Sequence, residues 1–308
     1  MTTSTKRSTT ESALVVATAD GLHLPNRAEA LVRGRRIGAI AVDDDTIWAL
    51  VDAVELHRVT RTGQNERAAT LTGGTATCVH VHDGTVMVAG DDAALWRLRE
   101  GALEPVESFL NAPTRSDWYT PWGGRPSVLS MASHGEHLYV GVHVGGILRS
   151  SDSGETWSDT IDLHVDVHEV VVDPDEGNVW AATGERALAG SPDRGASWQY
   201  HADGLHATYS LAVAITSAGV LAGASSGHAA RDGAVFLFNG SRFERVDGLP
   251  ERLGGAVGPR QIAGHGDHAA LITPDGAVYG SDDGGRRWDL MAHLAHATAI
   301  VLAPSLAY

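Results

Sequence analysis

The phrase Ser-x-Asp-x-Gly-x-x-Trp occurs three times in this chain with all four fixed positions kept. It reads Ser150, Asp152, Gly154, Trp157, then Ser191, Asp193, Gly195, Trp198, then Ser281, Asp283, Gly285, Trp288. The aspartates stand 41 and then 90 residues apart, the longer interval being two steps of 45. A fixed period in the forties marks a chain of stacked units, each too small to bury its apolar faces alone.

Each phrase lies between two short apolar segments, so it reads as a hairpin turn. Glycine there reaches a positive φ without a Cβ penalty. Asp and Ser accept hydrogen bonds from nearby backbone N–H groups and close the turn. The Trp has a large apolar face to bury against the next unit. Identical copies cannot all line one site, so these twelve residues read as scaffold rather than as catalysts or Ca²⁺ ligands.

In these phrases the chain resembles the Asp-box (BNR-repeat) β-propellers, a group that includes sialidases, sortilin-type receptor domains and photosystem II assembly factors. The resemblance implies a box joining the third and fourth strands of a blade, on the face away from the binding site.

The phrases calibrate the rest of the chain. Inner-strand candidates fall at 37–42, 76–81, 127–132, 167–172, 209–215, 260–264 and 297–302. Second strands fall at 13–18, 46–50, 85–89, 137–142, 179–183, 220–224 and 268–273. Third strands fall at 21–24, 54–59, 94–98, 146–150, 187–190, 234–238 and 277–280. Each is a short run bordered by Gly, Asp, Asn or Pro, the strand-and-turn pattern. Weaker fourth strands fall at 28–33, 66–71, 103–108, 157–161, 198–201, 243–246 and 288–292. Seven units in 308 residues is 44 residues each, the size of a four-stranded blade. The expected fold is all-β: one seven-bladed propeller over 13–308, after a disordered polar tail over 1–12. The segment 297–302 completes the first blade and closes the ring, which leaves only short, protected sheet edges.

Net charge is −15, and Lys6 is the only lysine beside 22 arginines. A dense carboxylate surface keeps a protein soluble in high salt, which points to a halophilic cytosol. No basic stripe is present, so no nucleic-acid partner is expected. The single Cys78 forbids an internal disulfide and reads as a buried, inert thiol. The apolar run after the polar tail is far too short to span a bilayer. A cytoplasmic protein without a membrane partner or a cofactor is expected.

Two connections entering inner strands are long, 107–126 and 247–260, and lengthened loops on a rigid scaffold tend to carry binding residues. The first holds Trp118, Tyr119 and Trp122, which either stack on a ligand or fold back over the blade tops. Arg36, Arg125 and Arg260 stand near inner-strand starts. On an acidic protein they would form an anion site, because Arg grips carboxylate and phosphate bidentately; the alternative is pairing with local carboxylates. Sialidases are similar in using an arginine triad with a tyrosine nucleophile, a role that would fall to Tyr209 here; the alternative is an inner-strand tyrosine that fills the channel. Their Arg-Ile-Pro phrase is absent. A further constellation is His164, Asp166 and His168, alternating along one expected strand face, to which His143 from the preceding unit would add a fourth ligand suited to Zn²⁺ or Mn²⁺. The alternative is a chance run among 16 histidines, with no metal-binding phrase beside it, and no metal is expected. The leading reading is a non-catalytic propeller binding a protein partner or small anionic ligand on the face opposite the boxes. A sialidase-like glycoside hydrolase and a metal-dependent hydrolase or lactonase are the alternatives.

Overall fold

Among residues 14–24 and 27–303, which the computed structural model describes, the chain forms 27 strands in seven antiparallel sheets. The tail expected over 1–12 lies outside the described residues. Blade 2 runs Ile37–Asp43, Thr46–Val51, Glu55–Thr60, Asn65–Thr70, and blade 3 runs Ala76–His82, Thr85–Gly90, Ala94–Arg99, Ala102–Pro105. Blade 4 is Val128–His134, His137–Val142, Gly146–Ser150, Ser158–Asp159, and blade 5 is Val167–Val172, Val179–Thr183, Ala187–Ser191, Gln199–His201. Blades 6 and 7 are Val213–Thr216, Gly219–Ala224, Ala234–Phe238, Phe243–Arg245 and Ile262–His265, His268–Ile272, Ala277–Ser281, Asp289–His293.

Blade 1 closes the ring. Its inner strand, Ala297–Leu302, pairs antiparallel with Leu14–Thr18, which pairs in turn with Gly21–His23. Ala297–Leu302 also packs beside the inner strands of blades 2 and 7, so each inner strand has one on either side. The fourth strand expected at 28–33 is reduced to a single bridge between Leu22 and Leu31. The other six blades have four strands.

The apolar alternation of the strands explains the radial stacking. Successive side chains point to opposite faces, so a strand inside a stack buries both sets. Ile47, Ala49 and Val51 enter the cluster shared with blade 1, whereas Trp48 and Leu50 enter the one shared with blade 3. Seven such clusters fill the seven inter-blade spaces. Each fully buried Leu, Ile or Phe there contributes roughly 1.5–3 kcal/mol over its exposed state.

The three repeated turns share one hydrogen-bond pattern. Ser150 Oγ donates to Asp152 Oδ1 at 2.8 Å and accepts the Gly154 N–H at 2.8 Å. The corresponding bonds at Ser191 are 2.9 and 2.7 Å, and at Ser281 they are 2.8 and 2.9 Å. The glycines hold φ of 88°, 88° and 87°, a region closed to side chains without strain. The second and third turns also reach back to the preceding blade: Tyr139 and Arg149 donate to the Arg194 carbonyl, and Thr216 donates to that of Gly284. Trp288 is buried between blades 6 and 7, and Trp157 and Trp198 are half-buried against the preceding interfaces.

Two expected boundaries shift. The inner strands expected from Tyr209 and Arg260 begin instead at Val213 and Ile262: Tyr209 keeps only an isolated bridge to Ser225, and Arg260 adopts φ 63°. The connection 107–126 contains a helical turn, Glu107–Leu110, and a 3-10 turn, Arg115–Asp117. No helix among the described residues is long and apolar enough to cross a membrane.

Candidate functional site

In an antiparallel blade the turns after the first and third strands share one face. The loops after the second and fourth strands therefore share the other. On that second face a cleft of about 850 Å³ opens over blades 4 to 6. Its walls include Tyr119, Trp122, His164, Asp166, Glu185, Arg186, Tyr209 and Ser225. Backbone bonds stitch these loops together: Tyr119 N to Val144 O, Val167 N to His143 O, Gly184 N to Asp166 O, and Ser210 N to Thr183 O, all 2.8–3.0 Å. Side chains from three blades are thereby fixed relative to one another.

A polar cluster lies at the cleft floor. His143 Nε2 is 3.0 Å and His168 Nε2 3.3 Å from Asp166 Oδ1. That oxygen is buried, and neither contact has the alignment of a good hydrogen bond. Burial raises the Asp166 carboxyl, but the two imidazoles outweigh burial and hold it well below the usual carboxylate range. His168 Nδ1 donates to the Ser210 carbonyl at 2.8 Å, and Tyr209 Oη lies 3.3 Å from His168 Nε2. Burial, with Asp166 second, raises the Tyr209 hydroxyl. The Trp122 ring stands edge-on to His143, centroids 4.9 Å apart.

The inward turn of His168 has a backbone cause. The first and second strands of blades 2, 3, 4 and 5 each shift register after one pair, at Gly38, Thr77, Leu129 and His168. Such a bulge re-aims the side chain it carries. In blade 5 that side chain is an imidazole. The alternation expected for His164, Asp166 and His168 does not hold, because the strand starts only at Val167 and 162–165 is a turn. His164 is exposed on the cleft wall, and the three residues that converge are His143, Asp166 and His168.

The other expected site residues divide. Tyr119 and Trp122 are 44% and 74% exposed and line the cleft, as does Tyr209. Trp118 is 5% exposed: it folds back onto Phe109, under the Arg115 guanidinium, and offers no face to the cleft. The three arginines do not line this cleft. Arg125 pairs with Asp92 at the surface, and Arg36 is exposed. Arg260 faces the central channel, with its backbone N–H donating to Glu169 Oε1 at 2.7 Å and Nη1 donating to the Leu129 carbonyl at 2.9 Å. The cleft's arginine is Arg186, whose guanidinium lies over the Tyr200 ring.

Sequence reading passed over Glu169, Glu185 and Arg186. Glu169 is buried in the channel, where burial raises its carboxyl to about 7 while N–H bonds from Val213 and Arg260 oppose the rise. A lone acid within the apolar run VHEVVV was the available signal.

No protein-family model and no curated protein matches the chain. Solved structures do resemble it. YCF48 from Cyanidioschyzon merolae is 18% identical, with 84% of this chain and 86% of that one covered and a TM-score of 0.58. The Cps50 (Swd1) β-propeller domain from Myceliophteria thermophila is 13% identical over 87% and 92%, TM-score 0.62. The GH74 xyloglucanase from Xanthomonas campestris is 17% identical over 90% of this chain but 46% of its own, TM-score 0.56. At these identities the likeness is one of fold, and it spans both an enzyme and propellers not described as enzymes.

Proposed function

We propose that the chain is an Asp-box propeller that binds a small anionic sugar-like ligand, without turning it over, in the cleft opposite the repeated turns. The observation that carries this reading is the exposed pair Tyr119 and Trp122 beside Asp166, Glu185, Arg186 and Tyr209 in one concave site. Flat aromatic faces suit a sugar ring, and convergent polar groups orient it. A concavity of about 850 Å³ suits a small molecule better than a flat protein partner.

The glycosidase alternative has one observation in its favour, the Tyr209 hydroxyl within reach of His168. Against it, burial and Asp166 raise that hydroxyl's pKa, the reverse of what an activated nucleophile needs.

The test is a thermal-shift screen with glucuronate, N-acetylneuraminate and ATP on wild type, Trp122→Ala and Tyr119→Ala. Glucuronate or N-acetylneuraminate should raise the wild-type melting temperature, and the variants should lose that rise while melting normally alone. Equal responses in all three proteins would overturn the reading. Hydrolysis of a fluorogenic sialoside that Tyr209→Phe abolishes would establish the enzyme instead.

A further inference from the structure

Asp166 Oδ1 and the two imidazole Nε2 atoms present three donors that face one another without a shared hydrogen bond. A backbone carbonyl only accepts, so the 2.8 Å contact with Ser210 requires the hydrogen of His168 on Nδ1. Its Nε2 lies 3.3 Å from both Asp166 Oδ1 and Tyr209 Oη.

We infer that His143, Asp166 and His168 form a divalent metal site of the zinc class, with an open coordination position facing the cleft. The edge lengths support it. Ligands about 2.0–2.1 Å from a zinc ion lie about 3.3 Å apart in tetrahedral geometry and about 2.9 Å apart in octahedral geometry. The two edges to Asp166 Oδ1 are 3.0 and 3.3 Å, and His143, Asp166 and His168 can each offer one ligand atom to a common ion. Two imidazoles with one carboxylate favour zinc or a neighbouring transition ion over Mg²⁺ or Ca²⁺, which prefer all-oxygen shells. The His168–Ser210 bond is the outer-shell contact that fixes tautomer and ring orientation in such sites.

Both histidines are buried, whereas Asp166 lines the cleft. Three protein ligands leave at least one position, and Tyr209 and Trp122 stand next to the cluster, against His168 and His143. An ion there would supply the positive charge that Arg36, Arg125 and Arg260 do not bring, and a ligand carboxylate could complete its shell. This deepens the reading above, and only the role of the open position rests on it.

The test uses the full chain, stripped with a chelator and dialysed, and titrated calorimetrically with Zn²⁺ and separately with Ca²⁺. One equivalent of Zn²⁺ should bind, in strong preference to Ca²⁺. His168→Gln and Asp166→Asn should each weaken Zn²⁺ binding by at least about 100-fold, given that even outer-shell changes cost 10–100-fold. His164→Gln should bind as wild type, and circular dichroism should report all variants folded. Folded wild type that takes up no Zn²⁺ would overturn the site, as would unchanged affinity in Asp166→Asn. Glucuronate is then added to the metal-loaded and stripped protein. A thermal shift that persists after stripping, in protein without Zn²⁺ affinity, sinks the ion but leaves ligand binding standing. Zn²⁺ uptake with no response to glucuronate leaves the ion standing and sinks the ligand reading.

Discussion

Gly184 approaches Asp166 so closely that a Cβ on it would stand 2.2 Å from the carboxylate oxygen Oδ2. Its N–H also donates to the Asp166 carbonyl at 2.9 Å. The glycine lies in the blade 5 loop opposite the carboxylate, and its missing side chain is the space that Asp166 occupies. Gly184→Ala should therefore push Asp166 off its present position while keeping the backbone bridge. The expected cost in stability is about 1–3 kcal/mol, the usual range for an overpacked site. Zn²⁺ affinity should fall with it by about 10–100-fold, as for other supporting residues of metal sites. A calorimetric titration and a melt of the same preparation check both. Unchanged affinity would mean that the carboxylate finds its place without this glycine.

The repeated tryptophans should not weigh equally. Trp288 is 1% exposed and donates its indole N–H to the Gly285 carbonyl at 2.8 Å, whereas Trp157 and Trp198 are only half-buried. Trp288→Ala should cost about 3–5 kcal/mol, the range for a large aromatic removed from a core, and the other two about 1–3. Urea melts of the three variants under one buffer give the ranking. A Trp157→Ala variant less stable than Trp288→Ala would show that burial in the turn is not what sets its worth.

The strands were legible because their signal is local. Alternating apolar runs bounded by glycine and aspartate place most strands of six blades within a residue or two, the inner strand of blade 6 starting four residues later than expected, and the three phrases set the period. The fourth strand of blade 1 was not, since a single bridge at Leu31 leaves no run to read. The cleft was legible in part. Trp122 stands in a long connection, and Tyr209 and Asp166 at the expected starts of inner strands, all on one face, but their meeting depends on loops of three different blades. His143 was reached only as an addition to a strand pattern, and the residue that turns inward does so through a bulge at His168 rather than through alternation. Long arginine side chains were the least legible. Arg125 is taken by Asp92, and Arg260 runs into the channel, where Glu169 receives its backbone N–H.

His80 gives a pH dependence of definite sign. Its Nε2 lies 2.8 Å from Ser133 Oγ, and burial, with His82 adding to it, lowers the ring to about 4 from an ordinary 6.5. Between those values the unfolded chain carries a proton that the folded chain refuses, so stability is lost as pH falls from 6.5 towards 4. The ceiling on this loss is on the order of 3 kcal/mol, lowered by the partial exposure of the ring. His80→Gln should show a shallower fall in stability than wild type across that window, and the two curves should run parallel above pH 6.5. Denaturant melts at several pH values test it. Curves that stay parallel throughout would mean that the ring takes up its proton in the fold at no cost.

The surface carries the last prediction. A net charge of −15 on 308 residues places carboxylates near one another, as in the first turn of blade 2, where Asp43, Asp44 and Asp45 are all exposed. Their mutual repulsion weakens as the screening length falls from about 10 Å at 0.1 M salt to about 3 Å at 1 M. Self-repulsion destabilises a compact state more than an expanded one, so added salt should raise the melting temperature. Most of that rise should come below about 1 M, where screening of exposed charges is already short-ranged. KCl and NaCl should act alike if screening is the cause. Replacing Asp43 and Asp45 by Asn should then reduce the salt response while raising stability at low salt. A melting temperature indifferent to salt would separate this acidic surface from any adaptation to brine.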